Sequence, residues 1–484
     1  MNLGKMLDET CRLFPERTAL IYDDKTLTYK ELKAAVDSLT RRLHDLGIRK
    51  DDKVALMLPN VPEFVISYFA ALKLGAVVVT LSTQSTSHEL DYLLKNSDSR
   101  ILITTGQLST RVDPIRKDLP LLADVLITEG MGESSPFMDA VEAGPSEIDR
   151  PEVGGDDPAV MIYTAGLTGK PLGAVLTHNA LLTQGDLLRH VCDGDENDRA
   201  LAVIPLFHAF GASANMLNAL KTGAGLVLMD VFNIDSLFKT VMDLQVTYIA
   251  AVPRIFLGMI LHPTADKYKL KSLRLCITGG SAMPPEFIPL FEQKFGVPLR
   301  EGYGLTEAAP ICTLSRVQSE GRPGSIGTVI PGVEAKIVDG QDREVPIGEA
   351  GELLVKGVNV MKGYYKDGEA TEKVIRNGWL YTGDLAKMDK DGYIYLTGRK
   401  KRMVITSGFN VYPREVEMIL RMHPAVKEAK VVGKLDMMRG EVVRALIVRK
   451  NGESVDEKSI LRHCRTYLSS YKVPRVLEFV ESLD

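Results

Sequence analysis

The chain has 484 residues, enough for about three domains of ordinary size and for a core that needs no disulfide or metal staple. Hydrophobic residues at 45% and charged residues at 25% exclude disorder, collagen and coiled coil. The 59 basic and 63 acidic residues leave a formal charge of −4, so no basic face for a nucleic acid is expected.

The first residues, MNLGKMLDETCRLF, are charged and amphipathic, unlike a signal peptide. Thr28 and Glu31 have the spacing of a capping box, in which the hydroxyl and the carboxylate each take an orphan amide at a helix start. Leu32, Val36, Leu39, Leu43 and Leu46 follow on one helical face, and Gly47 suits a left-handed cap. The pattern then predicts a strand at 54–58, a helix at 61–74, a strand at 76–81, a helix at 86–95 opened by Thr86 and Glu89, and a strand at 101–105. The most apolar window, Phe64 to Leu81, contains Lys73 and Gly75, whereas a membrane span needs about 20 consecutive apolar residues. Helix followed by strand is the better reading, and no span is expected. Short strands alternating with helices imply parallel, right-handed crossovers and a doubly wound sheet. The alternation resumes from about 200 to 300.

Beyond about 310, Gly321, Pro323, Gly324, Gly327, Pro331 and Gly332 interrupt the chain, and β-like runs at 334–338, 351–355 and 392–397 predict an antiparallel subdomain. A compact α+β segment starts near 399, with strands at 428–433 and 442–448 and a helix near 456–468. No internal repeat occurs. Five cysteines (Cys11, Cys192, Cys276, Cys312 and Cys464) are odd in number, scattered and without CxxC, which suits reduced thiols in the cytoplasm rather than disulfides or zinc.

The segment Tyr163-Thr-Ala-Gly-Leu-Thr-Gly-Lys-Pro-Leu-Gly-Ala-Val175 interleaves glycines with threonines and a lysine, so its amides and hydroxyls can wrap phosphate oxygens. It is not a Walker A loop, because GxxxxGK[ST] is absent. Downstream lie Pro205-Leu-Phe-His-Ala-Phe-Gly211, Thr278-Gly-Gly-Ser-Ala-Met-Pro284, Gly302-Tyr-Gly-Leu-Thr-Glu307, Tyr381-Thr-Gly-Asp384 and the long run from Gly398 to Glu417. In this order and spacing the set resembles the acyl-adenylating superfamily (acyl-CoA synthetases, luciferase and adenylation domains), with spelling closest to fatty-acyl-CoA ligases.

The resemblance implies an α/β fold: two doubly wound subdomains plus a distorted β-barrel over residues 1–397 (β-rich from about 310), a hinge at 398–402, and a small mobile α+β lid over 403–484, incomplete at its end. It implies an AMP-forming ligase that uses ATP, Mg²⁺ and CoA to activate a carboxylic acid, with a medium- to long-chain fatty acid as the expected substrate and an acyl carrier protein as an alternative thiol partner. The phosphate loop then contributes Thr164, Gly166, Thr168, Gly169 and Lys170. Gly280, Ser281 and Ala282 let backbone approach the base, and Gly302, Tyr303 and Gly304 present an aromatic face to adenine. Thr306 bonds the α-phosphate, and Glu307, a hard carboxylate, holds Mg²⁺. Asp384 and Arg399 take the ribose. His208 lines the acyl pocket near the carboxylate. Lys401 falls on the hinge, and Ser407, Gly408 and Phe409 lie along the pantetheine arm.

Two departures matter. Ala165, Leu167 and Leu172 stand where the family pattern has serine, threonine and lysine, and Asp484 ends the chain before a PKxxxGK-like loop. Read as they stand, both take away groups used in adenylation and spare those used in thioester formation, although at Asp484 a mobile tail that continues is expected over a natural truncation. Two further readings therefore stay open: acyl transfer between AMP, CoA or a carrier thiol with weak adenylation, and a non-catalytic protein that binds nucleotide or acyl-CoA.

Overall fold

A computed structural model describes the chain except residues 129–136, 138, 140, 142–147, 166–168, 318–320, 401–402, 451–454 and 484. The helix Tyr29–Asp45 starts at Thr28 and the helix Ser87–Ser97 at Thr86, and both expected capping boxes are formed. Losing the Thr28 hydroxyl costs about 1 kcal/mol. Thr28→Ala should therefore speed hydrogen exchange of the first amides in this helix by about fivefold.

Helix Pro62–Lys73 is buried at every position, between helices Leu3–Leu13 and Tyr29–Asp45. Burial on all sides explains why its stretch of sequence is the most apolar. Its one cation, Lys73 (1% exposed), meets Asp8 and, at 2.7 Å, Asp37. A charge buried there persists because it is paired. Among the described residues, no helix is long and apolar enough to cross a membrane.

The first α/β subdomain is a seven-stranded sheet. Its central strands Lys53–Met57, Val77–Thr80, Ser99–Thr105 and Pro158–Ala165 are parallel, and Pro171–Thr177 runs antiparallel beside the last of them. The second is a nine-stranded sheet in which Arg199–Ala202, Gly225–Leu228, Tyr248–Ala251, Leu275–Thr278 and Leu299–Gly304 are parallel. The chain's first strands, Thr18–Tyr22 and Lys25–Thr28, form a hairpin and join this second sheet through Gly225–Leu228. A curled antiparallel sheet follows, built on Val333–Val338, Gly351–Gly357, Trp379–Met388 and Ile394–Arg399. One continuous apolar core joins these three units.

The lid has its own core. Strands Phe409–Val411, Val404–Thr406, Gly440–Arg449 and Val426–Asp436 form its sheet, with Val476–Phe479 added in parallel. Helices Pro413–Met422 and Glu457–Tyr467 pack on it. All five cysteines are free and buried.

Candidate functional site

Ligands of open α/β sheets bind beyond the carboxyl ends of the strands, and the motif residues gather there. Strand Leu275–Thr278 delivers Gly279 and Gly280, strand Leu299–Gly304 delivers Tyr303 and then Thr306 and Glu307, and strand Pro158–Ala165 delivers Thr164. All of these line one inner cavity of about 250 Å³. The curled sheet adds Asp384, and the lid adds Gly408, Asn410 and Tyr412.

Asp384 and Arg399 are partners across adjacent strands. Arg399 Nε donates to Asp384 Oδ1 at 3.2 Å, and the Tyr303 hydroxyl donates to Oδ2 at 2.6 Å. Gly383, in the left-handed region at φ 77°, turns the chain so that Asp384 faces the cavity. The Glu352 carboxylate fixes this turn by accepting from the Gly383 amide (3.0 Å) and from Lys400 Nζ (2.7 Å). Lys400 is thus tied to a buried acid. Lys401, the expected hinge residue, lies outside the described residues, as do Gly166, Leu167 and Thr168 of the phosphate loop.

Glu307 Oε1 accepts from the Tyr364 hydroxyl at 2.8 Å. Among the described residues, no group of three His, Cys, Asp or Glu side chains gathers. A lone hard carboxylate suits Mg²⁺, which takes few protein ligands and completes its shell with phosphate and water.

The loop carrying His208 is held by two side chains. Asn60 donates to the carbonyls of Ala202 and Ile204 and accepts from the Leu206 amide, and the Thr80 hydroxyl donates to the Phe207 carbonyl. His208 accepts from the Phe210 amide at 3.2 Å and meets the Phe409 ring edge-on at 6.2 Å. Burial pushes its pKa down to about 4, so it is neutral at pH 7. Burial does the same to His178, which accepts from the Leu3 amide. Both folded values lie below the ordinary 6.5, so their contribution to stability is present above pH 6.5 and is lost as pH falls toward 4. The urea midpoint should fall across that window, and His178→Gln should flatten the fall. An unchanged slope in the variant would contradict this.

Glu301 is missing from the sequence reading and Thr278 appears there only as the first residue of its motif, without a role, although both line the inner cavity. They are opposed in the parallel pairing of their strands, a register that local sequence does not display. Glu301 Oε1 accepts from the Met283 amide at 3.2 Å, while Glu301 Oε2 and the Thr278 hydroxyl are buried without partners. Burial pushes the Glu301 carboxyl up to about 7. A buried acceptor left open beside a cavity suits a ligand N–H. The signal available was position, immediately before Gly302 and Tyr303.

Leu172 and Lys170 face different spaces. Leu172 lies opposite Thr164 in the strand pairing and lines the inner cavity. Lys170 and Gly169 line a second cavity of about 330 Å³, between the phosphate loop and the lid, which also reaches Thr164, His208 and Thr306.

A third and larger space, about 820 Å³, opens outward between the lid and the second subdomain. Arg254 and Arg439 line it. Burial, and then the Arg254 and Arg475 guanidiniums, lower the pKa of Arg439. It shares Ser281, Ala282, Arg399 and Ile405 with the inner cavity. Between the two stands a narrow place. A Cβ on Gly408 (φ +86°) would lie 2.5 Å from Val252 Cγ1, and one on Gly280 (φ +81°) would lie 3.8 Å from the Gly408 Cα. Ser407 is also left-handed, at φ 52°, and its amide donates to the Arg439 carbonyl at 2.8 Å.

The family model described as AMP-binding enzyme matches residues 7–365, and that of the AMP-binding enzyme C-terminal domain matches 415–484. The chain is 34% identical over 515 residues to a long-chain-fatty-acid–CoA ligase of Bacillus subtilis (strain 168), covering 100% of this chain and 91% of that protein. It is 35% identical over 483 residues to a feruloyl-CoA synthase of an Amycolatopsis species, covering 100% and 96%. A crystal structure of a double mutant of o-succinylbenzoate CoA synthetase from Bacillus subtilis, bound with its product analogue OSB-NCoA, superposes with a TM-score of 0.88 at 29% identity, covering 100% and 96% of the two chains.

Proposed function

Because the chain belongs to the AMP-binding enzyme family, as an AMP-forming acid–thiol ligase using ATP, Mg²⁺ and CoA, we propose that it activates an apolar carboxylic acid of medium length, aliphatic or aryl, and passes it to CoA through an acyl-adenylate. In the first half-reaction the acid's carboxylate oxygen attacks the ATP α-phosphorus and pyrophosphate leaves. In the second the CoA thiol, losing its proton, attacks the acyl carbon and AMP leaves.

The residues take the following parts in this reading. Asp384, held in place by Arg399 and the Tyr303 hydroxyl, accepts from the ribose hydroxyls. The Tyr303 ring and the Gly280–Ala282 backbone flank the adenine, and Glu301 accepts from its exocyclic amine. Thr164 and Thr306 donate to phosphate oxygens, where charge builds as the bond to phosphorus forms. Glu307 holds Mg²⁺, which when bound neutralises phosphate charge. Neutral His208 stands by the reacting carboxyl, walled by Phe409. Arg254 and Arg439 pair with the phosphates of CoA, whose pantetheine arm runs past Ser407 and Gly408. The observation that carries this reading is that the arginine-lined cleft and the cavity holding Asp384 and Thr306 adjoin, sharing Ser281, Ala282, Arg399 and Ile405 and meeting where Gly408 packs on Val252.

Phe210, Ile277, Leu305, Pro310, Ile311 and Leu314 supply the apolar wall. The Phe210 ring lies 3.3 Å from where a Gly279 Cβ would stand. Segment 211–217 is bonded to the sheet and its surroundings by Ser213 to the Ala309 carbonyl, Asn215 to the Ala250 carbonyl, and the Tyr248 hydroxyl to the Ala214 carbonyl. We take this bonded segment as the limit of the acyl pocket, which narrows the fatty-acid range expected from sequence to medium length. The test is a panel of saturated acids from four to eighteen carbons and simple aryl acids, with AMP release followed in the presence of CoA. Highest kcat/KM at medium length or for aryl acids is expected. A maximum at sixteen carbons or more would overturn the assignment.

A further inference from the structure

The lid touches the first subdomain at a second place, away from Gly408. Lys472, with a side chain only 8% exposed, sends its ammonium to Glu89 Oε1 of helix Ser87–Ser97 (2.7 Å) and to Glu415 Oε1 of the lid's own helix Pro413–Met422 (2.6 Å). Glu89 Oε2 accepts from the Ser469 hydroxyl at 2.6 Å and from the Thr86 amide at 2.9 Å. Around this cluster the Thr86 hydroxyl donates to the Tyr467 carbonyl (3.1 Å), the Ser470 hydroxyl bonds Gln84, and His88 meets Tyr467 edge-on.

Two carboxylates on one ammonium leave a net buried negative charge, and Glu415 Oε2 has no partner. Burying such groups costs desolvation that apolar residues would avoid, so the cluster is a poor device for stability alone. What it provides is one orientation of the lid, because Glu89 and Lys472 come from opposite sides of the boundary. That orientation reaches the reacting centre. Tyr471, next to Lys472, stacks on Phe409 at 4.6 Å, and Phe409 in turn faces His208. The same seating puts the lid helix on the phosphate loop: a Cβ on Gly169 would lie 2.8 Å from Met418 Sδ and 3.4 Å from Arg414 Cγ. The lid helix thus covers Gly169, on the side from which the β- and γ-phosphates of ATP would approach the loop.

We infer that Glu89 is a positioning residue for thioester formation: by gripping Lys472 it holds the lid where Gly408 and Phe409 line the thiol's path, and the grip is released for a triphosphate to reach the loop. Only the kinetic consequence rests on the reading proposed above. The placement rests on the contacts alone.

Glu89→Gln tests it, because glutamine keeps the capping box with Thr86 while removing the charge. The full chain would carry spin labels at cysteines replacing the exposed Lys117 and Lys458, the native cysteines being buried. Pulsed electron resonance of the otherwise unsubstituted protein should show one dominant interdomain distance. Charge-assisted hydrogen bonds are roughly twice as strong as neutral ones, so in Glu89→Gln the seated population relative to others should fall about tenfold. Acyl-AMP-to-CoA transfer should fall by a similar factor while pyrophosphate exchange holds or rises, a split that general destabilisation would not produce. An unchanged distance distribution, or equal loss in both half-reactions, overturns the inference. Lys472→Gln is expected to act alike; if it unfolds the lid, Ser469→Ala, which removes one bond of the cluster, decides in its place. If the unsubstituted enzyme turns over no acid, the functional reading fails and the distances still decide this one.

Discussion

Gly408→Ala should lower acyl-AMP-to-CoA transfer by about a hundredfold and leave pyrophosphate exchange within a fewfold of the parent. Two costs combine. A residue with a Cβ held in the left-handed region, here at φ +86°, loses roughly 1–2 kcal/mol. The new carbon would also lie 2.5 Å from Val252 Cγ1, an overlap of the kind that costs about 1–3 kcal/mol when the surroundings must shift. Their sum corresponds to roughly thirtyfold to five-thousandfold in rate if it applies only with the lid seated. Val252→Ala in the same chain removes the overlap and not the backbone strain, so it should recover about tenfold and no more. Equal losses in both half-reactions would mean that Gly408 matters to folding and not to the thiol's path.

Leu172→Lys should raise pyrophosphate exchange by about ten- to a hundredfold and leave thioester transfer nearly unchanged. Leu172 lines the inner cavity beside Thr164, Thr306 and Glu307, where a cation would face developing phosphate charge. A charge-assisted bond made only in the transition state is worth about 1.5–3 kcal/mol, hence the factor. Lys170, the nearest cation in sequence, lines the space on the lid side and does not stand beside Leu172 in the inner cavity. Unchanged exchange in Leu172→Lys would mean that the loop gains nothing from a cation at this place.

What was legible in the sequence was mostly local. The capping boxes at Thr28 and Thr86 are three-residue patterns, and both form as read. The apolar window resolves into helix Pro62–Lys73 and strand Val77–Thr80, with Lys73 paired inside it. The ordered motifs made the inner cavity readable as a set, most of them lying at or just beyond the carboxyl end of a strand and residues 381–384 within one. Contacts without a local signature were not legible. The hairpin of Thr18–Tyr22 and Lys25–Thr28 joins a strand some two hundred residues later, and the partner of Glu89 lies in the last stretch of the lid. The opposition of Thr278 and Glu301 depends on strand register, and the separation of Lys170 from Leu172 on where the strand Pro171–Thr177 begins inside a segment whose composition reads as loop.

The central claim is that one cavity serves two successive reactions, with the lid-side passage admitting the thiol. Single-turnover measurement on the full chain tests it most directly. With ATP, Mg²⁺ and an accepted acid but no CoA, the enzyme should release pyrophosphate and retain about one acyl-AMP per site; CoA added afterwards should convert it to acyl-CoA and AMP in equal amounts. Free AMP formed in bulk before CoA is added, or no AMP with any acid under any order of addition, would contradict the account.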